Sequence, residues 1–217
     1  MATTTSASIP SSCRGENSTE VRPVERRVLP DAALAGELLR RRNHYTYRFL
    51  FVPGTIGSIS WLARNETRLG AIHHGLVLAG VGDAGPFTYK ASRRGDSQID
   101  KVMPFVLAGR GQPHHVMGFE PYGYDERQYC SPGFDLPVGC LMRSKHGTYP
   151  QYHTSADDLE LIRPEHLAQS YALIVSALDI LERDRRMLNL SPKCEPQLGR
   201  RGALRGGRAH RGYGKRP

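Results

Sequence analysis

GFEPYGYDERQYCSPGFDLPVGCLMRSKHGTYPQYHTSADDL, residues 118–159, is the stretch around which the chain reads as one organised domain. Its centre, Val138 to Met142, is a short apolar run between two loops, which predicts a buried strand. The loop before it carries Asp125, Glu126 and Arg127 in a Pro/Gly-punctuated setting, and the loop after it ends in Tyr152, His153, Thr154, Asp157 and Asp158. Long irregular segments rich in polar and aromatic residues are where a scaffold usually carries function.

Working outward, buried strands are expected at Tyr45 to Val52 and at His74 to Val81, with a short partner strand at Phe87 to Ala91 and another strand at His115 to Phe119. Helices are expected from an Asp31 cap through Leu39, from Thr55 through Leu62, from Asp96 or Ser97 through Leu107, and from Pro164 to Leu188. Strands alternating with helices define an α/β fold with helices on the faces of its sheet. The boundaries that follow are a disordered segment at 1–30, the α/β domain at 31–190, and a disordered Gly/Arg-rich tail at 191–217.

The net charge of +9 belongs mostly to that tail, where Lys193 to Pro217 carry eight basic residues against Glu195 alone. Such a tail supports at most non-specific, salt-sensitive attraction to polyanions. No apolar run is long enough to span a membrane, and residues 1–12 lack the apolar core of a secretory signal. The four cysteines are widely spaced, with no CxxC pair, which fits reduced thiols in the cytoplasm.

Among motifs, Gly82-Asp83 ends a buried strand, where open α/β sheets bind ligands and where a carboxylate can hold a metal; the same residues also suit an ordinary turn. His153 can ligate a metal with Asp157 or Asp158 as its orienting acceptor, or the segment can simply cap a helix. The pairs His73-His74 and His114-His115 point to opposite strand faces and make poor chelates. Asp125-Glu126-Arg127 reads as a substrate-facing group or a surface ion-pair cluster, and Lys90, Arg93 and Arg94, which follow a strand, as an anion-binding group or, more in keeping with such a stretch, a solvated basic loop. Gly54 to Ser58 lacks the lysine of a phosphate loop.

The order Pro-x-Thr-Ile-Gly-Ser after one strand, Gly-Asp after the next, then Asp-Glu-Arg-Gln-Tyr-Cys-Ser-Pro-Gly and Tyr-His-Thr-Ser-Ala-Asp-Asp-Leu, resembles the aminopeptidase-like domain of the zinc exopeptidase superfamily, in its bacterial aminopeptidase-like subfamily. The resemblance covers roughly 43–202. It implies a three-layer α/β sandwich with a mixed, mainly parallel sheet, zinc at the strand ends, hydrolysis of peptide or amide bonds, and a peptide or amino-acid-like substrate. It makes Asp83 and His153 metal ligands, Asp157 an orienting group, and Asp125, Glu126, Arg127 and Tyr152 substrate-binding residues. Departures accompany it. The early His-x-Asp ligand block and the bridging Asp are not found before Asn43, and Gly54 and Thr55 stand where the Glu-Glu pair, base and ligand, belongs. The chain therefore reads as a copy truncated at both ends, its first strands missing, with impaired or absent hydrolysis; a non-catalytic binding module is the alternative.

Overall fold

The computed structural model describes residues 2–9, 25–157, 159–185, 187–190 and 193–194. Two units divide at Asp184, and the second, 185–217, has no helix or strand among its described residues. The basic tail and Asp158 lie outside what is described, apart from Lys193 and Cys194.

The first unit is a six-stranded sheet with β1 at Ala2–Ile9, β2 at Thr46–Pro53, β3 at Ile72–Leu78, β4 at Phe87–Lys90, β5 at His114–Met117 and β6 at Val138–Met142. Its strand order is β2-β1-β3-β6-β4-β5. β1 pairs in parallel with both β2 and β3, and β3 pairs in parallel with β6. β4 runs antiparallel to β6 and parallel to β5. The sheet is therefore mixed and mainly parallel, as expected. Its helices are α1 (Glu25–Leu39), α2 (Ile56–Asn65), α3 (Gln98–Gly109), the one-turn α4 (Glu126–Tyr129) and α5 (Pro164–Arg183).

Side-chain alternation along β3 builds the three layers. Leu76 and Leu78 join α1, α3 and α5 in one core, through Leu34, Met103, Leu107, Leu173 and Leu181. Val77 and Ala79 point the other way and join Leu62 of α2 and Tyr129 of α4 in a second core. β6 alternates likewise, Leu141 facing the first core and Val138, Cys140 and Met142 the second. All five β6 residues are buried, which is why that strand reads as a continuous apolar run.

Two sequence expectations are corrected. Residues 1–30 are not uniformly unstructured, because β1 occupies 2–9 and α1 begins at Glu25, placing Asp31 inside the helix instead of at its cap. β1 escapes a hydrophobicity search because ATTTSASI has almost no apolar pattern; its β-branched threonines suit extended backbone, and pairing on both edges supplies the hydrogen bonds. α5 also ends at Arg183, short of the expected Leu188, with Asp184 as its extended C-cap.

Candidate functional site at the carboxyl ends of the parallel strands

Asp83 lies just past β3 and is buried. Its Oδ1 accepts the Gly85 N–H at 2.7 Å and the Ser144 hydroxyl at 2.6 Å, and the Ser144 N–H also reaches it at 3.3 Å. Gly85 is required for this approach, since a Cβ there would stand 2.1 Å from the Ser144 Oγ. Arg143, next along the chain, braces the same loop. Its Nε donates to the Gly85 carbonyl at 2.9 Å, its Nη1 reaches the His166 carbonyl and the Gln169 Oε1, and its guanidinium lies 4.3 Å over the Phe87 ring. Burial pulls the Arg143 pKa below the ordinary value, against the opposing pull of the Asp83 charge.

Beside this loop opens a pocket of about 660 Å³. Its walls include Met117, Val116 and Tyr149, with Lys145 and Glu120 side by side at 3.6 Å. Apolar surface with a few convergent charges is the usual make-up of a small-molecule site.

The carboxyl end of β2 holds a strained turn. Thr55 has φ 63° and ψ −65°, and the Ile56 N–H bonds the Gly54 carbonyl at 2.7 Å, which together make a γ-turn of the rare, strained hand. A β-branched residue at positive φ is a genuine outlier and needs its surroundings to hold it there. Asp125 does so. Its Oδ1 accepts the Thr55 N–H at 2.6 Å and the Ser58 hydroxyl at 2.8 Å, while Oδ2 is buried with no hydrogen-bond partner among the described residues.

The acidic pair read as substrate-facing or superficial is instead fully enclosed, Asp125 and Glu126 both being 0% exposed. Glu126 binds Lys90 at 2.7 Å in an ion pair sealed from solvent, and it also accepts the Tyr124 N–H. Lys90 donates as well to the Tyr122 carbonyl at 2.7 Å, so it is a core residue of β4 and not part of a solvated loop. A lysine at the end of an otherwise apolar buried strand was the available signal, since such a charge needs a partner. Arg127 is half-buried.

His153 is exposed, at φ 58°, with its ring stacked on Tyr152 at 4.1 Å. Tyr152 in turn neighbours His146, and His146 neighbours Tyr124, with centroids at 5.9 Å and 5.1 Å. This row of rings links the His153 loop to the residue preceding Asp125. Asp157 is half-buried, and its N–H bonds the Thr154 carbonyl at 3.2 Å. Sequence reading missed His146 and Ser144, which carry no motif and are brought in only by the fold. His74 is buried and His73 exposed, as opposite strand faces require.

Among the described residues, no three His, Cys, Asp or Glu side chains converge on a point that could hold a metal ion. A catalytic zinc takes about three protein ligands plus water. Asp83, its Oδ1 shared between Gly85 and Ser144, and His153 do not by themselves complete that set.

A three-layer sheet with its loops gathered at the parallel strands' carboxyl ends defines an aminopeptidase-like α/β domain. The Bacillus subtilis zinc aminopeptidase shares this fold at a TM-score of 0.64, with 15% identity over 86% of this chain and 48% of its own. An aminopeptidase from an Aneurinibacillus strain does so at 0.62, with 16% identity over 85% of this chain and 45% of its own. A Clostridium acetobutylicum protein described provisionally as a peptidase is nearer in sequence, with 42% identity and a TM-score of 0.79 over 93% of this chain and 47% of its own. The chain belongs to the domain of unknown function family DUF4910, whose sequence model matches residues 28–184. A Clostridium acetobutylicum relative, described provisionally as a polysaccharide biosynthesis protein with an aminopeptidase-like domain, is 50% identical over 172 residues. That match covers 79% of this chain and 39% of the relative, so the chain spans less than half the length of these relatives.

Proposed function

We propose that this chain is an aminopeptidase-like domain that receives a peptide- or amino-acid-like ligand beside Asp83, with zinc-dependent hydrolysis of peptide or amide bonds impaired or lost. One observation carries the reading. The clamp that Asp125 places on the strained turn after β2 is intact, yet the turn itself is Gly54-Thr55, with no carboxylate to serve as base or ligand. The scaffold of a hydrolytic site is thus kept while its acidic pair is replaced. The pocket supports the binding half of the proposal, because Lys145 and Glu120 offer partners for a carboxylate and an amine beside Tyr149 and Met117.

The test measures zinc by elemental analysis after dialysis, hydrolysis of leucine p-nitroanilide, and leucinamide binding by calorimetry. The expected result is substoichiometric zinc, no hydrolysis sensitive to Asp83→Ala or His153→Ala, and leucinamide binding weakened by Tyr149→Ala. Tightly held zinc lost in both variants together with hydrolysis would overturn the proposed loss of activity. Absence of leucinamide binding would overturn the ligand.

A further inference from the structure

A second pocket, of about 400 Å³, opens between the loop after β4 and α4. Register places it at the other end of the sheet from Asp83. β4 and β5 run opposite to β6, so Arg93 and Phe119, which follow their carboxyl ends, lie where β6 begins. The length of β6, about 13 Å at the usual rise per residue, therefore separates this pocket from the ligand loop at Asp83.

Two arginines, Arg93 and Arg127, are among its lining residues. The Arg127 Nε is buried from solvent and donates to no acceptor among the described residues. A buried donor of this kind is costly unless something accepts from it. Nearby carboxylates are committed elsewhere. Asp135 holds Arg94 at 2.9 Å, Glu126 holds Lys90, and Asp100 accepts from Tyr89 and Ser92. Arg93 and Arg127 thus line the pocket with no carboxylate in ion-pair reach among the described residues.

The floor is rigid. Cys130 is fully buried, its N–H bonds the Glu126 carbonyl at 2.8 Å, and its sulfur lies against the Leu136 and Val138 carbonyls and the Arg93 N–H. Burial pushes this thiol's pKa up, so Cys130 serves as packing and not as a nucleophile. The remaining walls combine apolar Phe119, Pro121 and Pro132 with the hydrogen-bonding groups of Gln128 and Ser131.

We infer that this pocket binds a small organic carboxylate, its oxygens held by Arg93 and Arg127 and its apolar body laid on Phe119 and the two prolines. Guanidinium forks match a planar carboxylate through paired N–H donors, and the apolar walls favour an anion with a hydrophobic body over a bare inorganic one. The site does not depend on the reading of the Asp83 loop.

The test titrates the purified chain with 2-naphthoate, followed by the probe's own fluorescence. 2-Naphthamide serves as the neutral isostere and inorganic phosphate as the competing oxyanion. One naphthoate per chain is expected, with naphthamide binding much more weakly. Arg93→Gln and Arg127→Gln should each weaken naphthoate at least about tenfold, or about 1.4 kcal/mol. Arg93 is exposed, so Arg93→Gln should leave the urea midpoint unchanged and carries the test even if Arg127→Gln folds poorly. Equal binding of naphthamide, no binding of naphthoate, or unaltered affinity in Arg93→Gln would overturn the assignment. Displacement of naphthoate by millimolar phosphate would overturn the choice of carboxylate over phosphate.

Discussion

Replacing Thr55 with glycine should stabilise this domain, although it shortens a half-buried side chain at a turn. Thr55 sits at φ 63° and ψ −65°, and its side chain makes no capping hydrogen bond. Strain of this kind costs about 1–3 kcal/mol, and glycine relieves it. The added freedom of glycine in the unfolded chain takes back about 0.5–1 kcal/mol, so the net gain is about 1 kcal/mol. Asp125→Ala acts in the opposite direction. It removes the acceptor of the Thr55 N–H and one acceptor of the Ser58 hydroxyl, which keeps the Thr55 carbonyl. Hydrogen bonds to a charged group are worth about 1.5–3 kcal/mol each, so a loss of about 3 kcal/mol is expected. The decisive quantity is the coupling. With threonine at 55, loss of the clamp lets the turn relax and recovers part of its strain; with glycine there is no strain to recover, so Asp125→Ala should cost about 1 kcal/mol more in that background. Urea unfolding of the four proteins, with slopes compared to confirm a common unfolded state, measures this. A Thr55→Gly variant less stable than the parent, or strictly additive effects, would refute the claim that Asp125 holds a strained turn.

Two further outcomes are expected. Burial first, and the neighbouring His73 second, push the His74 pKa down from 6.5 to about 4, so the unfolded chain takes up this proton at a higher pH than the folded one. Stability is then intact above pH 6.5 and falls on the order of 3 kcal/mol as pH drops towards 4; His74→Leu should flatten that slope in denaturation curves across the window, and an unchanged slope would exclude His74 as its source. At Gly123, φ is 153°, and a Cβ would stand 2.1 Å from the Glu126 Oε1 and 2.7 Å from the Lys90 Nζ, both fixed in their buried pair. Gly123→Ala should therefore cost about 2–3 kcal/mol in urea unfolding, whereas Gly118→Ala, with open space around its Cβ, should be near neutral.

Much of the fold was legible because β3 and β6 pack on both faces. Burial on both sides turns a strand into an uninterrupted apolar run, and His74 to Val81 and Val138 to Met142 are such runs. β1 was not legible for the opposite reason, its residues before Ile9 being small or hydroxylated and its place fixed by backbone pairing to β2 and β3. Asp83 was singled out because a carboxylate after a buried strand stands where open α/β sheets bind ligands, and in the structure it is buried and bonded to Gly85 and Ser144. Asp125 and Glu126 were found but misjudged, since a run of charges in a polar loop looks the same whether it faces water or is folded inward. Only tertiary structure brings Thr55 to Asp125, across 70 residues, or Lys90 to Glu126, across 36. The second pocket was half visible, in that Arg127 was singled out, while Arg93 was weighed between an anion-binding group and a solvated loop, with the loop preferred.

The position of β1 also governs how the sheet can be assembled. It precedes both of its partners in the chain, and their paired segments begin with Thr46 on one side and Ile72 on the other. Closing loops of that length costs roughly 3–4 kcal/mol of chain entropy before any pairing repays it. Until residues 2–9 arrive, β2 and β3 flank a slot one strand wide, lined on both sides by unpaired N–H and C=O groups. The same segment of a second molecule would fit that slot with the same register, so slow closure within one chain competes with strand exchange between chains, and crowding at high concentration favours the exchange.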